Sequence, residues 1–388
     1  MSKTLKKRML VLLISISLLI IFARTVPQVS LIERAVVVGM GIDFENGKYS
    51  VSTQIINPIH GSQSGSSGDS YGIVCAEALT LSEAIDKIAQ KTGLIVSLSQ
   101  CNVLILGKGV ISEQAFPSLS DLVKNWQIPE QAVLVATDEK AVDILRTKLI
   151  TESINSFQIQ QALLAHSDMV TSLTTTIKEF ILSYISYSET SVISYITKKP
   201  VDEHNISAPS GGDSKQKYEE FDFTKTILFS PKKAALILEP EDTQSINFML
   251  KTIKKGSISI EYENEIFNLC YASKKYTKKT NLENGRAKIN GKIKVKFTIN
   301  EVDNLKKFFS TTDISEKNVD QLEKLAAEQI KQQIMKTYNK CKDNKYDVFC
   351  LYDILYSNEG LKWKNMAKED YLQQIDLNIE VDVKVVRR

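Results

Sequence analysis

Two closely spaced glycines are the first residues of this sequence that could bind a cofactor. Gly39 and Gly41 form a Gly-x-Gly pattern after a run of valines, as in the phosphate-binding turn of a dinucleotide fold. That fingerprint requires a third glycine and the start of a helix, whereas Phe44 occupies the third position and the chain continues as strand. We therefore interpret the glycines as a bulge or a close packing of strands.

Histidines and nucleophile motifs provide no candidate active site. His60, His166 and His204 are the three histidines of the chain, and none belongs to an HxxxH or HExxH pattern that would ligate zinc. The sequence lacks a GxxxxGK[ST] phosphate loop, and its GxSxG string lies in the Gly/Ser-rich stretch Gly61–Gly72, which we interpret as a loop and not as a nucleophile elbow. We therefore predict a non-enzymatic protein with no catalytic residue, no metal site and no cofactor.

Paired carboxylates are a common acid–base arrangement, and adjacent pairs of this kind occur in the chain. Glu219-Glu220 and Glu241-Asp242 are adjacent in sequence. Adjacent residues do not face one another on a helix, so neither pair has the spacing for shared chemistry. We predict that all four side chains are solvated.

Basic residues in the second half of the chain have two possible roles, which the sequence does not distinguish. Lys254-Lys255 and the run Lys274-Lys275 with Lys278-Lys279 would either lie against an anionic membrane or be solvated loop lysines. Trp363, flanked by two lysines, is either an interfacial or partner contact or a core residue on a loop.

The cysteines do not suggest a disulfide framework. Their number is odd and no CxxC occurs, which also removes the usual zinc spacing. We predict buried free thiols, and a Cys75–Cys101 disulfide is the open alternative. The five cysteines are Cys75, Cys101, Cys270, Cys341 and Cys350.

Length and composition describe a multidomain protein that folds largely in water. The 388 residues predict two to three domains, and 43% hydrophobic content with 24% charged residues is close to the globular average. The 49 Lys and Arg against 46 Asp and Glu leave a net charge of only +3, so we predict no nucleic-acid partner.

The amino-terminal segment has the pattern of an export signal. A basic cluster in the first eight residues precedes an apolar run from Met9 to Ala23. A helix of this length rises about 22 Å, so a single span would need tilting or membrane thinning. The cleavage site before Arg24 is poor, and we predict an uncleaved anchor at residues 1–27 with the bulk of the chain outside the cytoplasmic face.

The exported part is predicted to be α+β, with three mixed α/β domains after the anchor helix. Residues 28–150 alternate strand and helix patterns and form the first domain. Residues 151–256 form a middle domain with a flexible loop near residues 200–217, which is rich in turn formers. Residues 257–388 form a carboxy-terminal α+β domain.

Local signals predict several of its elements. Asn46-Gly47 marks a hairpin turn, and Thr80 with Glu83 opens a helix that Gly93 ends. The strongest strand pattern closes the chain, where aliphatic and mostly charged residues alternate. The aliphatic residues are Ile375, Leu377, Ile379, Val381, Val383 and Val385.

Four segments together resemble the Ger(x)C family of bacterial spore germination proteins over nearly the whole exported length. VVVGMGIDFENGKYSVSTQIINP at Val36–Pro58 resembles the family's opening strands, and LSQCNVLILGKGVISEQAF at Leu98–Phe116 resembles its next strand, turn and helix. Phe221–Leu250 and Asp347–Met366 are similar to the segments that close its middle and carboxy-terminal domains. The chain departs from the family in having no lipobox cysteine after the apolar segment, where ARTVPQVSLIERA stands.

The resemblance implies a subunit of a spore nutrient germinant receptor that acts through protein–protein contacts. Its partners would be two integral-membrane receptor subunits, A-type and B-type, and it would be tethered to the inner spore membrane by the anchor instead of a lipid. An exported solute-binding protein is the alternative, and a large ligand pocket at a crevice would favour it.

Overall fold

A computed structural model of the chain describes most of its residues. The described residues are 8–9, 12–18, 33–56, 71–113, 119–149, 154–165, 167–201, 218–231, 233–251, 253–262, 265–302 and 316–386. In the predicted anchor, residues 8–9 and 12–18 are helical, and no described helix is long and apolar enough to cross a membrane.

The described elements are mixed α and β, as predicted. The strands are β1 Arg34–Glu45, β2 Lys48–Ile56, β3 Tyr71–Ala78, β4 Ile95–Ser97, β5 Val103–Leu106, β6 Val133–Ala136, β7 Ser191–Pro200, β8 Glu219–Ser230, β9 Lys233–Leu238, β10 Ser257–Tyr262, β11 Glu265–Glu283, β12 Arg286–Val302 and β13 Ile375–Val386. The helices are α1 Leu81–Thr92, α2 Leu119–Trp126, α3 Ala141–Arg146, α4 Asn155–Ala165, α5 Ile177–Tyr184, α6 Pro240–Leu250, α7 Glu316–Asp343, α8 Leu351–Glu359 and α9 Leu361–Met366, with a 3-10 turn at Tyr371–Gln374.

The first sheet runs continuously through both amino-terminal regions. Its strand order is β3-β2-β1-β5-β6-β7-β8-β9, and β4 pairs with the start of β1. Strands β1, β5, β6 and β7 are parallel neighbours, and hairpins occupy the two ends of the sheet. The sheet has no break at residue 150, so the proposed division between residues 28–150 and 151–256 remains a prediction.

Helices cover both faces of this sheet. The apolar residues of α1, α2 and α5 join one core with alternate residues of the strands, and those of α3 and α4 join a second core on the opposite face. The predicted end signals of α1 are present, because the Thr80 hydroxyl accepts from the Glu83 N–H and Gly93 adopts φ 66°. Asn46 and Gly47 also have positive φ in the predicted hairpin turn.

A second sheet of four strands forms the last third, in the order β10-β11-β12-β13. The terminal strand β13 lies parallel to β12, from the pair Ala287–Ile375 to the pair Thr298–Val386. The alternation predicted for β13 is confirmed, because the six predicted aliphatic residues are buried or half-buried and the charged residues of the strand are mostly exposed. Helix α7 packs along the inner face of this strand.

One large core links the two halves of the chain. It combines the inner face of the second sheet and helix α7 with Val170, Leu228 and Ile246 from the region before residue 257. Helix α6 packs against α7 and against strand β8. The second sheet is therefore joined to the first through a continuous apolar interior.

All five cysteines are free thiols. Cys101 and Cys341 are fully buried, and burial raises the pKa of each to about 12. The Cys75–Cys101 disulfide considered as an alternative is absent. The predicted flexible loop near residues 200–217 lies, from residue 202 onward, outside the described residues.

Candidate functional site

The paired glycines of β1 serve packing, as the sequence interpretation proposed. The ladder between β1 and β2 shifts register between Val37 and Gly39, which is a β-bulge or a similar irregularity. A Cβ atom on Gly39 would lie 2.5 Å from the Ser156 Cβ, and one on Gly41 would lie 2.5 Å from the Ala141 Cβ. The glycines therefore allow α3 and α4 to approach the strand.

A polar cleft opens just beyond these glycines, toward the carboxyl end of β1. Register pairing places Asp43, Ser50 and Glu77 side by side on one face of β1, β2 and β3. Helix α3 stands over that face and contributes Val142 and Arg146 to the wall. Ligands of open α/β sheets commonly bind outside the carboxyl ends of parallel strands, so this cleft is a candidate site.

Asp43 is the buried charge of this cleft. Its carboxylate is 5% exposed and accepts the Ala141 N–H at 2.9 Å and 3.1 Å from its two oxygens. Burial raises the pKa of Asp43 to about 6, although hydrogen bonds from the Ala141 and Lys108 backbone and the charge of Lys140 oppose the shift. A Cβ atom on Gly107 would lie 2.1 Å from this carboxylate, so glycine is needed beside it.

The rim of the cleft carries both signs of charge. Glu45 forms ion pairs with Lys108 at 2.9 Å and with Lys140 at 3.3 Å. In the part of the chain that the structure describes, Lys48, Glu77 and Arg146 have no ion-pair partner. The cleft encloses about 460 Å³ and is suited to a small solute with a cationic and an anionic group.

A second buried carboxylate, Asp347, lies where the two halves of the chain meet. It is 2% exposed, and its Oδ1 accepts the Leu351 N–H at 2.8 Å. Its Oδ2 accepts the Tyr352 N–H at 2.8 Å, the Ser188 hydroxyl at 2.9 Å and the Tyr371 hydroxyl at 3.1 Å. Burial raises the pKa of Asp347, and these four donors oppose that shift.

Neighbouring contacts extend the junction around Asp347. Asp353 of α8 accepts the backbone N–H groups of Tyr187 and Ser188, both at 3.2 Å. The Tyr187 ring stacks on Tyr352 at 5.2 Å between centroids and also contacts Tyr356. Loop 185–190 of the first half is thereby held against α8 of the second half.

Trp363 belongs to this junction as a core residue. Its side chain is fully buried and packs edge-on against Tyr352 and Tyr371. It lies in the short helix α9 and not on a loop. The interpretation as a core residue is therefore confirmed, and an exposed anchoring role for the ring is excluded by its burial.

Among the four paired carboxylates, Asp242 differs from the sequence prediction. Asp242 is 6% exposed and not solvated, because it pairs with Lys340 at 2.6 Å and accepts the Thr337 hydroxyl at 2.8 Å. Glu241, the neighbour of Asp242, is exposed. In the other pair Glu220 is exposed and Glu219 is half-buried, with its carboxylate 3.9 Å from the Lys198 ammonium. Adjacent residues of a helix point about 100° apart, so Glu241 faces solvent while Asp242 faces the interior beside α7.

The lysine run also differs, because it lies on strand β11 and not on a loop. Lys274 points to the inner face and donates to the Asn247 and Lys251 carbonyl oxygens at the end of α6. Burial lowers the pKa of Lys274 to about 8. Lys275, Lys278 and Lys279 are exposed, as are Lys254 and Lys255.

His60, His166 and His204 lie outside the described residues. Among those that are described, no group of three His, Cys, Asp or Glu side chains could hold a metal ion.

Sequence reasoning missed both buried carboxylates. Asp43 lies in the Gly-x-Gly-Ile-Asp segment that was read as strand alone, and an aspartate within an otherwise apolar strand was the available signal. Asp347 precedes an apolar run, where an acidic residue at the start of a helix is common. Its other donors come from residues 188 and 371, which no local pattern connects to it.

Comparisons with known proteins match both halves of the chain. Residues 27–198 match the family described as spore germination protein N-terminal domain. Residues 224–388 match the family described as spore germination B3/GerAC like, C-terminal. No curated protein matches the chain significantly.

A solved structure shares the fold. The crystal structure of the GerBC protein superposes with a TM-score of 0.52 at 16% sequence identity, over 90% of this chain and 97% of that one. At this identity the likeness shows the fold and not a shared ligand or partner. The two sequence matches together cover residues 27–198 and 224–388, and the chain therefore belongs to the Ger(x)C family of spore germination proteins.

Proposed function

We propose that this chain is a non-enzymatic, membrane-tethered subunit of a spore nutrient germinant receptor. The observation that carries the proposal is the match of both halves to spore germination families. The protein would act through contacts with A-type and B-type integral-membrane subunits on the inner spore membrane. The junction around Asp347 supports this role, because it would keep two contact surfaces in a fixed relation.

Co-purification from spore membranes and germination assays of a deletion strain together test this proposal. A tagged chain isolated from the inner membranes of spores is expected to bring down two multi-span subunits, and deletion of its gene should abolish germination with one class of nutrient. Normal germination of the deletion strain across a nutrient panel, together with the absence of multi-span partners, would show that the proposal is wrong.

Tethering by the amino-terminal segment is the second part of the proposal. The run from Met9 to Ala23 is apolar, and no cysteine precedes Cys75 to accept a lipid. The protein is expected to remain with membranes after a high-salt wash and to take up no labelled fatty acid. A soluble mature form that begins at Arg24 would contradict an uncleaved anchor.

The polar cleft favours solute binding as a second candidate function. Arg146 and Glu77 offer opposite charges without ion-pair partners among the described residues, and they line the same 460 Å³ space. Calorimetric titration with a panel of zwitterionic solutes is expected to show a heat of binding that Arg146→Gln and Glu77→Gln each remove. The absence of any heat with the intact protein would exclude this candidate.

A further inference from the structure

The open face of the second sheet carries a cluster of lysines that the fold itself does not use. On β12 the residues Ile289, Ile293, Val295 and Phe297 are buried, so the alternate residues of this strand point to the opposite face. Pairing between β11 and β12 adds alternate residues of β11 to that face. Its exposed lysines, here called the lysine face, are Lys275, Lys279, Lys288, Lys294 and Lys296.

Basic residues outnumber the carboxylates on this face of the sheet. Asp376 is held by Arg286 at 2.6 Å, and Glu380 is held by Lys292. Lys384, on the same face of β13, pairs with Glu323 of α7 at 3.0 Å. Within the described ranges, none of the five lysines of the lysine face forms an ion pair. Asp382 is the register partner of Lys294, and it is the one carboxylate of β13 on that face without an ion-pair partner in those ranges.

The arrangement places like charges directly opposite one another. Lys275 is the register partner of Lys294, and Lys296 is the register partner of Lys384. Like charges opposite one another across a sheet are destabilising. Lys294 and Lys296 are also neighbours along one strand on the same side, roughly 7 Å apart. Lys294 also lies opposite Asp382, and Lys384 is paired with Glu323, so an excess of positive charge remains on this face that an anionic partner would offset.

The composition of this face fits a lipid surface better than a protein surface. Protein interfaces are centred on buried aromatic or aliphatic anchors and are depleted in lysine. The alternate residues of β11 and β12 on this face are lysine, serine, threonine and asparagine, with no aromatic or large aliphatic residue from 273 to 281 or from 288 to 298. A broad, flat array of lysines matches an anionic bilayer, which attracts basic residues without inserted side chains.

We propose that the lysine face docks on the anionic phospholipid headgroups of the membrane that carries the protein. This inference rests on the proposed tether, which would keep the domain close to one bilayer. Docking would fix the orientation of the second sheet, and through the shared core that of the first sheet, relative to the membrane.

Lysine footprinting of the full chain tests the proposal. The chain is reconstituted into vesicles of phosphatidylcholine, with or without phosphatidylglycerol, and is acetylated briefly before mass spectrometry. The five lysines of the lysine face are expected to react several-fold more slowly on the anionic vesicles, and high salt should restore their reactivity. Lys324, Lys331 and Lys336, exposed on α7 beyond the opposite face of the sheet, are the internal control and should not change.

Matched variants separate the charge cluster from general effects. Replacing Lys275, Lys294 and Lys296 with glutamine is expected to shift the docking equilibrium about fivefold for each lysine, so that Lys279 and Lys288 lose their protection. Replacing Lys324, Lys331 and Lys336 with glutamine removes the same charge and should preserve the footprint. Both variants alter exposed residues, and circular dichroism should confirm that each is folded.

The outcomes distinguish this inference from the proposed tether. Failure of the chain to enter neutral vesicles would speak against the tether alone. Equal reactivity of the lysine face on both vesicle types, after successful reconstitution, would overturn the docking proposal. Protection that appears only in native membranes containing partner subunits would identify an acidic protein as the occupant and would also overturn it.

Discussion

Asp347 and Asp43 are both buried carboxylates, but they hold different parts of the structure together. Asp347 connects loop 185–190, α8 and the turn at Tyr371, which come from both halves of the chain. Asp43 connects β1 to the first residue of α3 within the first half. Burial of a carboxylate is unfavourable unless its oxygens are hydrogen-bonded, so each residue depends on the donors around it.

Asp347→Asn is expected to destabilise the protein by roughly 2–4 kcal/mol. Three donors reach Oδ2 of Asp347, and one donor, the Leu351 N–H, reaches Oδ1. An asparagine whose amide oxygen takes the place of Oδ2 would accept from the three donors, but its NH₂ group would then face the Leu351 N–H, so two donors would oppose one another. Thermal unfolding followed by circular dichroism measures the change. Asp370→Asn, at an exposed position of the same region, is the control and should melt like the wild type.

Asp43 is expected to make stability depend on pH between about 4 and 6. Its pKa is raised to about 6 in the folded protein from an ordinary value near 4, so the folded state binds more protons than the unfolded state in this window. Stability should therefore fall as pH rises, by up to about 3 kcal/mol. Urea denaturation of Asp43→Asn should lack this component, and identical pH profiles for variant and wild type would contradict it.

At the scale of elements, the sequence predicted best where periodicity and end signals agree. The β1–β2 hairpin, α1 and β13 were predicted because turn residues, caps and alternation are local properties. Helices α4 and α5 were missed because serine and threonine suggested irregular chain. The structure shows that Thr176 and Glu179 form a capping box for α5, a signal that the composition concealed.

The pairing of strands that are distant in sequence could not be predicted from local patterns. Strand β7 joins β6 in parallel through Val135 and Ser194, which extends the first sheet into the region predicted as a separate middle domain. Strand β13 was predicted as a strand, but its parallel partner β12 lies almost ninety positions earlier in the chain. Both pairings depend on which apolar faces remain uncovered after the helices pack, and no single segment determines that.

Gly41→Val is expected to destabilise the contact between β1 and α3 by about 1–3 kcal/mol. A Cβ atom there would lie 2.5 Å from the Ala141 Cβ and 2.6 Å from the Ser52 hydroxyl, so the helix must move away from the sheet. Chemical denaturation measures the loss. Gly72→Val is the matched control on neighbouring β3, where a Cβ atom meets nothing within 4 Å, and an equal loss in both variants would refute the packing argument.

At the scale of the whole molecule, the large core makes the two halves interdependent. Residues of α6 and of strand β8 contribute to the interior that the second sheet and α7 enclose. The polar junction at Asp347 adds directional contacts on the same boundary. A displacement of either sheet would therefore be transmitted to the other.

Removing residues 376–388 tests this interdependence. The deletion takes five inward-facing aliphatic residues from the core, of which Ile379 and Val383 are almost fully buried. At about 1.5–3 kcal/mol for each fully buried side chain and roughly half for the others, the loss approaches the usual 5–15 kcal/mol net stability of a domain. The deletion also leaves β12 unpaired along one edge and removes the backbone N–H of Val385, which donates a hydrogen bond to Glu323.

Limited proteolysis is expected to cleave the second half of the truncated chain first and then, because the core is shared, helix α6. Glu380→Gln breaks only the exposed pair with Lys292 and should change stability by less than about 1 kcal/mol, so it serves as the control. A truncated chain that melts and resists protease like the intact one would mean that β13 is a peripheral addition and that the two halves are stable independently.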